Sequence, residues 1–298
     1  MTTLIITGNG FDIAHNLPTE FSKFMSYISE GNDDNFYSSL IKYIPQDFLW
    51  SSFEEALSYL DYEQLKDDNS HFLLSYGDEN WKDSAHHDYQ YMIEKELSFA
   101  DSIQKYLYHW IKSINTNVIP KFDSKIINNE NIFINFNYTD TLEKVYNIKP
   151  NRILYIHGCV NHGNNLIVGH HDNSLFKKST VAFDNIEEQQ LFYDYDTVDV
   201  RVFEADDIIK NYFKKTYKDT IAIIQKNEVF FQQLKNINKI IVYGHSLSKI
   251  DIDYFYAIKD VVSANCKWNI SYHTQNDYTN VLNFVKKLNI QNNNIFYL

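Results

Sequence analysis

The chain has 298 residues, a length that suits one large domain or two small ones. Hydrophobic residues make up 44% and aromatics 16%, so a sizeable core can form and a wholly disordered chain is excluded. A formal net charge of −12, with no Lys/Arg run, disfavours long-range capture of nucleic acid, and no direct nucleic-acid partner is expected.

In chain order, Leu4–Thr7 predicts a short strand buried on both faces, because its apolar run does not alternate. A glycine turn follows, then a helix carrying Phe21, Phe24, Met25 and Ile28 at helical spacing, with Thr19 as its N-cap and Gly31 past its end. Residues 47–60 repeat the helical pattern, 61–88 read as polar loop, and 89–115 predict one long amphipathic helix. Strand signals cluster at IFINFN (132–137), ILYIHG (153–158) and LIVGHH (166–171). Residues 172–215 are acidic, tyrosine-rich and aperiodic, as expected of a mobile cover over strand ends. A helix is predicted over 217–236, and the remainder alternates strand and helix: KIIVYG, IDYFYAIKDVV, WNISYH, YTNVLNFVKKL, NIFYL. Strands alternating with helices imply parallel pairing. The expected class is α/β: a Rossmann-like, mostly parallel sheet in a single domain over 1–298, with a helical insertion at about 19–130 after the first βα unit and a second insertion at about 172–215.

Cys159 and Cys266 form neither a CxxC pair nor a disulfide framework, which fits reduced thiols in a cytoplasmic protein. No basic segment followed by an apolar run opens the chain, so no signal peptide is expected. No run of about 18 apolar residues exists, so no membrane association is expected either.

Four stretches could carry chemistry. Gly8-Asn9-Gly10-Phe11-Asp12 follows the first strand, where glycine lets backbone approach a pyrophosphate; Ile13 stands where the full dinucleotide fingerprint has a third small residue, so a plain tight turn is the competing reading. Asn137-Tyr138-Thr139-Asp140 and Glu143 lie at the carboxyl end of a predicted strand, where α/β ligand sites lie and where helix caps also lie. His157-Gly158 sits at another strand end, placed for acid/base work. Gly244-His245-Ser246-Leu247-Ser248, with Asp251 beyond, approximates a hydrolase nucleophile elbow but lacks its final glycine, so a turn contacting ribose or phosphate is preferred. His86-His87-Asp88, His162 and His170-His171 lack a recognised metal-binding spacing, and no metal is expected.

Taken in order, LIITGNGFDIAHNLPTEF, FNYTDTLE, YIHG, LIVGHH and VYGHSLSKIDIDYF resemble the AbiH family of phage abortive-infection proteins, and LWSSFEEAL, with Trp50, Glu54 and Glu55, resembles that family's first insertion motif. Beneath this lies a resemblance to the sirtuin-like NAD-consuming domains of other defence proteins. It implies Asn137 and His157 as a catalytic pair. It also implies Gly8, Asn9, Gly10, Phe11, Asp12, Tyr138, Gly244, Ser246 and Asp251 as nucleotide-binding residues. Thr139 departs from that pattern, which has Asp there, with Asp140 one place late. The implied function is phage defence through binding of NAD and cleavage of its nicotinamide–ribose bond, by an NAD glycohydrolase triggered by an unknown phage component. The alternatives are a non-catalytic nucleotide sensor that triggers a partner, a metal-dependent nuclease, and an esterase at Ser246. A homo-oligomer stays open.

Overall fold

In the computed structural model, which describes residues 2–31, 34–79, 81–83, 85–163, 165–177 and 199–298, the apolar run Leu4–Thr7 is β1, the centre of a parallel sheet. The other strands of that sheet are β2 (Ile132–Asn135), β3 (Ile153–Tyr155), β4 (Lys239–Tyr243), β5 (Lys267–Tyr272) and β6 (Asn293–Tyr297), in the order β3-β2-β1-β4-β5-β6. This is the doubly wound Rossmann order, and its direction reverses between β1 and β4. Register runs Leu4↔Ile132 and Leu4↔Ile240 on the two sides of β1, and Asn135↔Tyr155 between β2 and β3.

The described residues divide into two compact units. The first is Met1–Tyr27, Gln104–Ile167 and Asp219–Leu298, and it holds the whole sheet. Because strand side chains alternate, Leu4, Ile6, Ile134, Ile240, Val242, Trp268 and Ile270 turn to one face. There they meet Tyr254, Phe255 and Ile258 of the helix Ile252–Val261, and Val281 and Phe284 of the helix Gln275–Lys287. Ile5, Phe133, Ile241 and Tyr243 turn to the other face, against Phe11, Leu142 and Tyr146. Each such side chain contributes roughly 1.5–3 kcal/mol by leaving water. Two covered faces explain why β1 lacks polar alternation.

The second unit, Ile28–Ile103 with Val168–Lys218, is helical. Its helices Ala85–Leu97 and Val200–Lys215 pack together, with Gln90 Nε2 donating to Glu204 Oε2 at 2.6 Å. Arg201 is buried, forked onto Asp199 and donating to the Leu74 carbonyl at 2.9 Å, beneath the rings of Tyr76 and Trp81. Lys218 is fully buried, its Nζ 2.6 Å from Glu54 Oε1. No helix among the described residues is long and apolar enough to cross a membrane.

Several local expectations are corrected. Part of the 61–88 stretch is the helix Tyr62–Asn69, started by the Asp61 side chain accepting from Gln64 N; a cap, not apolar periodicity, marks it. The expected helix over 89–115 is two, Ala85–Leu97 and Ile103–Ser113, joined by a 3-10 turn. The stretch 47–60 is Gln46–Leu49, Phe53–Ala56 and a 3-10 turn, and 217–236 breaks at Asn227. The Thr19 side chain does not cap the helix Phe21–Ser29, since its hydroxyl makes no hydrogen bond among the described residues. LIVGHH is not a strand of the sheet. Its Ile167 N–H donates to the His157 carbonyl and the Ile167 carbonyl accepts from the Tyr138 hydroxyl, so single bonds to two other segments stand in place of a ladder; His170 makes an isolated bridge to Tyr217. Within 172–215, Val200–Lys215 is a helix with Ala205, Ile209, Tyr212 and Phe213 buried, a packed element and not an aperiodic cover; residues 178–198 lie outside the described residues.

At the reversal point the turn after β1 meets the turn after β4, backbone to backbone. Gly8 N donates to the Tyr243 carbonyl at 3.0 Å and Gly10 N to the Gly244 carbonyl at 2.7 Å. A Cβ on Gly8 would stand 2.6 Å from His245 Cα, and one on Gly10 2.8 Å from Gly244 Cα. Gly244 has φ +59, and a Cβ there would stand 2.3 Å from Phe11 N.

Two predictions follow from this packing. Gly244→Ala should fail to fold or lose several kcal/mol in urea unfolding, while Gly163→Ala, at φ +67 with open space around it, should cost only about 1–2 kcal/mol; equal losses would refute the close approach as the cause. Glu54→Leu should destabilise by more than about 1 kcal/mol, because it removes a carboxylate 2.6 Å from the fully buried Lys218 ammonium. A loss under about 1 kcal/mol would show that the pair carries little.

Candidate functional site at the strand ends beside the sheet reversal

The carboxyl ends of β1, β2, β3 and β4 all lie in the first unit, and each carries one of the stretches singled out in the sequence. After β1, Gly8 has an extended backbone (φ −116) and begins the six-residue helix Asn9–Ala14. Neither Gly8 nor Gly10 needs a positive φ. Both lack a Cβ because the β4 turn occupies that space, and Gly10 N–H is already bonded to it. The glycine spacing therefore has an explanation in chain packing. Glycine spacing reports a close approach without saying whether ligand or backbone approaches. Asn9 is exposed, and its side chain ties the turn to the Thr19 carbonyl at 2.9 Å. Phe11 is core, stacked on Phe122 and tilted against His15.

Asp12 begins a buried polar chain. Its Oδ2 accepts from Thr139 Oγ1 at 2.5 Å. Asn135 Nδ2 donates to the Thr139 carbonyl, and Asn135 Oδ1 accepts from both Thr7 Oγ1 and Asn137 N. Burial pushes the Asp12 carboxyl from the ordinary 3.8 to about 6; hydrogen bonds from Thr139, Thr141 and Asn137 oppose the rise and nearby Asp140 adds to it. The departure at Thr139 thus has a local reason: a hydroxyl there donates to Asp12, whereas a carboxylate would face it. Asp140, one place late, accepts from Thr116 and Asn161 and lies 3.2 Å from Lys144 Nζ. It stands at the N-cap position of the helix Thr141–Tyr146 without a side-chain cap bond, and Glu143 accepts from Tyr155 and meets His162 rather than completing a capping box.

Asn137 and His157 are brought to neighbouring strand ends. Each lies two residues beyond the register pair Asn135↔Tyr155, and both are buried. The Phe136 ring stands edge-on to His157, centroids 5.3 Å apart, and edge-on to His245 at 4.3 Å. His157 Nε2 lies 3.5 Å from Asp251 Oδ1, and His245 Nε2 lies 3.7 Å from Asp251 Oδ2. These are ion-pair separations, longer than a normal hydrogen bond. Tyr138 is half-buried, and Ser246 is exposed on the β4 turn. His245 was not among the residues expected at the site. Its only sequence signal is the His six places before Asp251 in GHSLSKID.

Two further histidines have partners of their own. His15 bridges the Phe11 carbonyl and the Tyr146 hydroxyl. His170, in the second unit, is bonded to the Phe213 carbonyl and lowered by burial to about 4. Among the described residues no group of three or more His, Cys, Asp or Glu side chains is placed to share a metal ion. Cys159 and Cys266 are buried, which pushes their thiols up to about 12 and about 11.

The raised Asp12 carboxyl has a signed consequence. Between 3.8 and about 6 the folded state keeps a proton that the unfolded chain has released. Its stabilising contribution is therefore complete below about pH 3.8 and lost as pH rises through about 6, amounting to about 3 kcal/mol for a shift of about two units. Asp12→Asn keeps the acceptor for Thr139 but cannot ionise. Urea-unfolding free energies at pH 4 and pH 7.5 should show wild type losing up to about 3 kcal/mol relative to this variant; parallel pH profiles would refute the assignment.

A family model described as bacteriophage abortive infection AbiH matches residues 4–272, from the start of β1 to the end of β5. Comparison with curated proteins and with solved structures finds no match. The matched span contains every motif that carried the resemblance, and the strand ends assembled here lie inside it. The chain belongs to the AbiH family of bacteriophage abortive-infection proteins.

Proposed function

We propose that this AbiH protein defends against phage by binding a nicotinamide dinucleotide and cleaving its nicotinamide–ribose bond, so that infected cells lose NAD. The observation that carries the reading is the placement of Asn137 and His157 at adjacent strand ends, two residues past the same register pair, beside the reversal of a Rossmann-ordered sheet. Ligands of such sheets bind outside the carboxyl ends of the strands. Half-buried Tyr138 adjoins Asn137 in the chain, and Asn9 and Ser246 are exposed on the turns after β1 and β4 that Gly8, Gly10 and Gly244 shape.

In the reaction, the C–N bond to nicotinamide breaks with its electron pair leaving on the pyridine nitrogen, and a water oxygen bonds to the ribose carbon. The water proton passes to His157, while the Asn137 amide orients water and ribose. Nicotinamide, ADP-ribose and one proton leave. A positioned base and a positioned nucleophile each contribute on the order of 10²-fold or more.

Purified protein incubated with NAD, alone and in extracts of phage-infected cells, should release nicotinamide and ADP-ribose. His157→Ala and Asn137→Ala should each lower turnover by about 10²-fold or more with smaller changes in binding. Recovery of intact nucleotide from the protein after incubation, in both settings, would replace this reading with a non-catalytic nucleotide sensor. Full turnover by the Ala variants would move the site elsewhere.

A further inference from the structure

A histidine ring nitrogen that accepts a hydrogen bond from a backbone N–H cannot itself carry a proton. His245 Nδ1 is such an acceptor: Leu247 N donates to it at 2.9 Å. The neutral His245 ring therefore bears its proton on Nε2, the atom that lies 3.7 Å from Asp251 Oδ2. The bond sits in an unusual turn. Leu247 has φ +55, a left-handed conformation that a side-chain-bearing residue seldom adopts, and that turn aims its N–H back at His245. The His245 backbone is held in its turn by Gly8, whose missing Cβ leaves room for His245 Cα. On its far side, the Asp251 carboxylate presents Oδ1 to His157 Nε2 at 3.5 Å. Asp251 is itself held at the start of the helix Ile252–Val261, and the rings of Phe136, Tyr254 and Phe255 enclose the two imidazoles.

We infer that Leu247, His245 and Asp251 form an orienting relay that sets the tautomer of His157. His245 Nε2–H faces one oxygen of Asp251 at 3.7 Å and His157 Nε2 faces the other at 3.5 Å, ion-pair and not hydrogen-bond separations, so the charge of the carboxylate favours a proton on His157 Nε2. The lone pair that accepts a proton is then on His157 Nδ1, and the carboxylate steadies the imidazolium formed when it does so. Asp251 and His245 are positioning residues, acting through His157. This assigns Asp251 to histidine and not to a ribose hydroxyl. The His245 tautomer stands on its bond from Leu247 N; the catalytic consequence for His157 rests on the NAD reading above.

Long-range ¹⁵N–¹H correlation spectra of the histidine rings in the full-length protein test it. In wild type at neutral pH, His245 and His157 should both show the Nε2–H tautomer; His245 protonated on Nδ1, or as imidazolium, would overturn the relay. In Asp251→Asn, the His157 signals should move to a mixture of tautomers, with an unchanged His157 pattern refuting the coupling. His245→Leu should shift the His157 signals in the same direction, and His245→Gln, whose amide can still donate to Asp251, should restore them. In the NAD assay, Asp251→Asn should lower kcat by about 10²-fold with KM changed only a few-fold. Loss through KM alone would return Asp251 to a binding role and overturn the relay. If the ring signals respond as stated while wild type cleaves no NAD, the relay stands and the NAD reading falls.

Discussion

The contact on which this architecture depends is made of backbone alone. Where the strand order reverses between β1 and β4, the turns leaving these two parallel strands meet with no side chain between them: Gly10 N on the Gly244 carbonyl, Gly8 against His245. Three glycines are needed because each missing Cβ would fall at 2.8 Å or less from the opposing chain. In a doubly wound fold this crevice is where a ligand usually enters. Here its floor is occupied by chain, and the groups left near its rim are polar residues from the ends of β2, β3 and β4.

Two buried polar systems grow from that contact. One runs from Thr7 through Asn135 and Thr139 to Asp12, and fixes the loop that carries Asn137. The other runs from Leu247 through His245 and Asp251 to His157. Phe136 stands among the two imidazoles as an apolar wall. Polar groups withdrawn from water are costly unless partnered, so two such systems at one end of one sheet are a strong structural commitment. They also leave the site with a carboxyl that holds its proton unusually late, Asp12, and a carboxylate set between two histidines, Asp251.

The stretch that resembles the family's first insertion motif has a different physical role. Glu54, in LWSSFEEAL, is the partner of the fully buried Lys218 within the second unit, where Gly169 N also points at the same carboxylate at 3.4 Å. In that unit the motif residue serves an ion pair that holds helical chain together. Motif membership alone would not have separated this from a role in chemistry.

The sequence by itself determined the sheet and the family. Apolar runs without alternation at Leu4–Thr7 and Lys239–Tyr243, separated by helical periods, require parallel strands covered on both faces, because burial is encoded residue by residue. The strand ends carrying Asn137, His157 and the GHSLSKID turn were legible for the same reason, since each strand stops where polar residues or glycine begin. The helix Tyr62–Asn69 escaped because a side-chain cap started it, and LIVGHH misled because β-branched residues promise a strand only if a neighbouring strand is free to pair. Tertiary structure alone decided what the glycines pack against, that Thr139 serves Asp12, and that His245 faces Asp251. Those facts depend on residues more than a hundred positions apart, as with Thr139 and Asp12, or on a backbone angle such as that of Leu247, and neither leaves a local pattern in the chain.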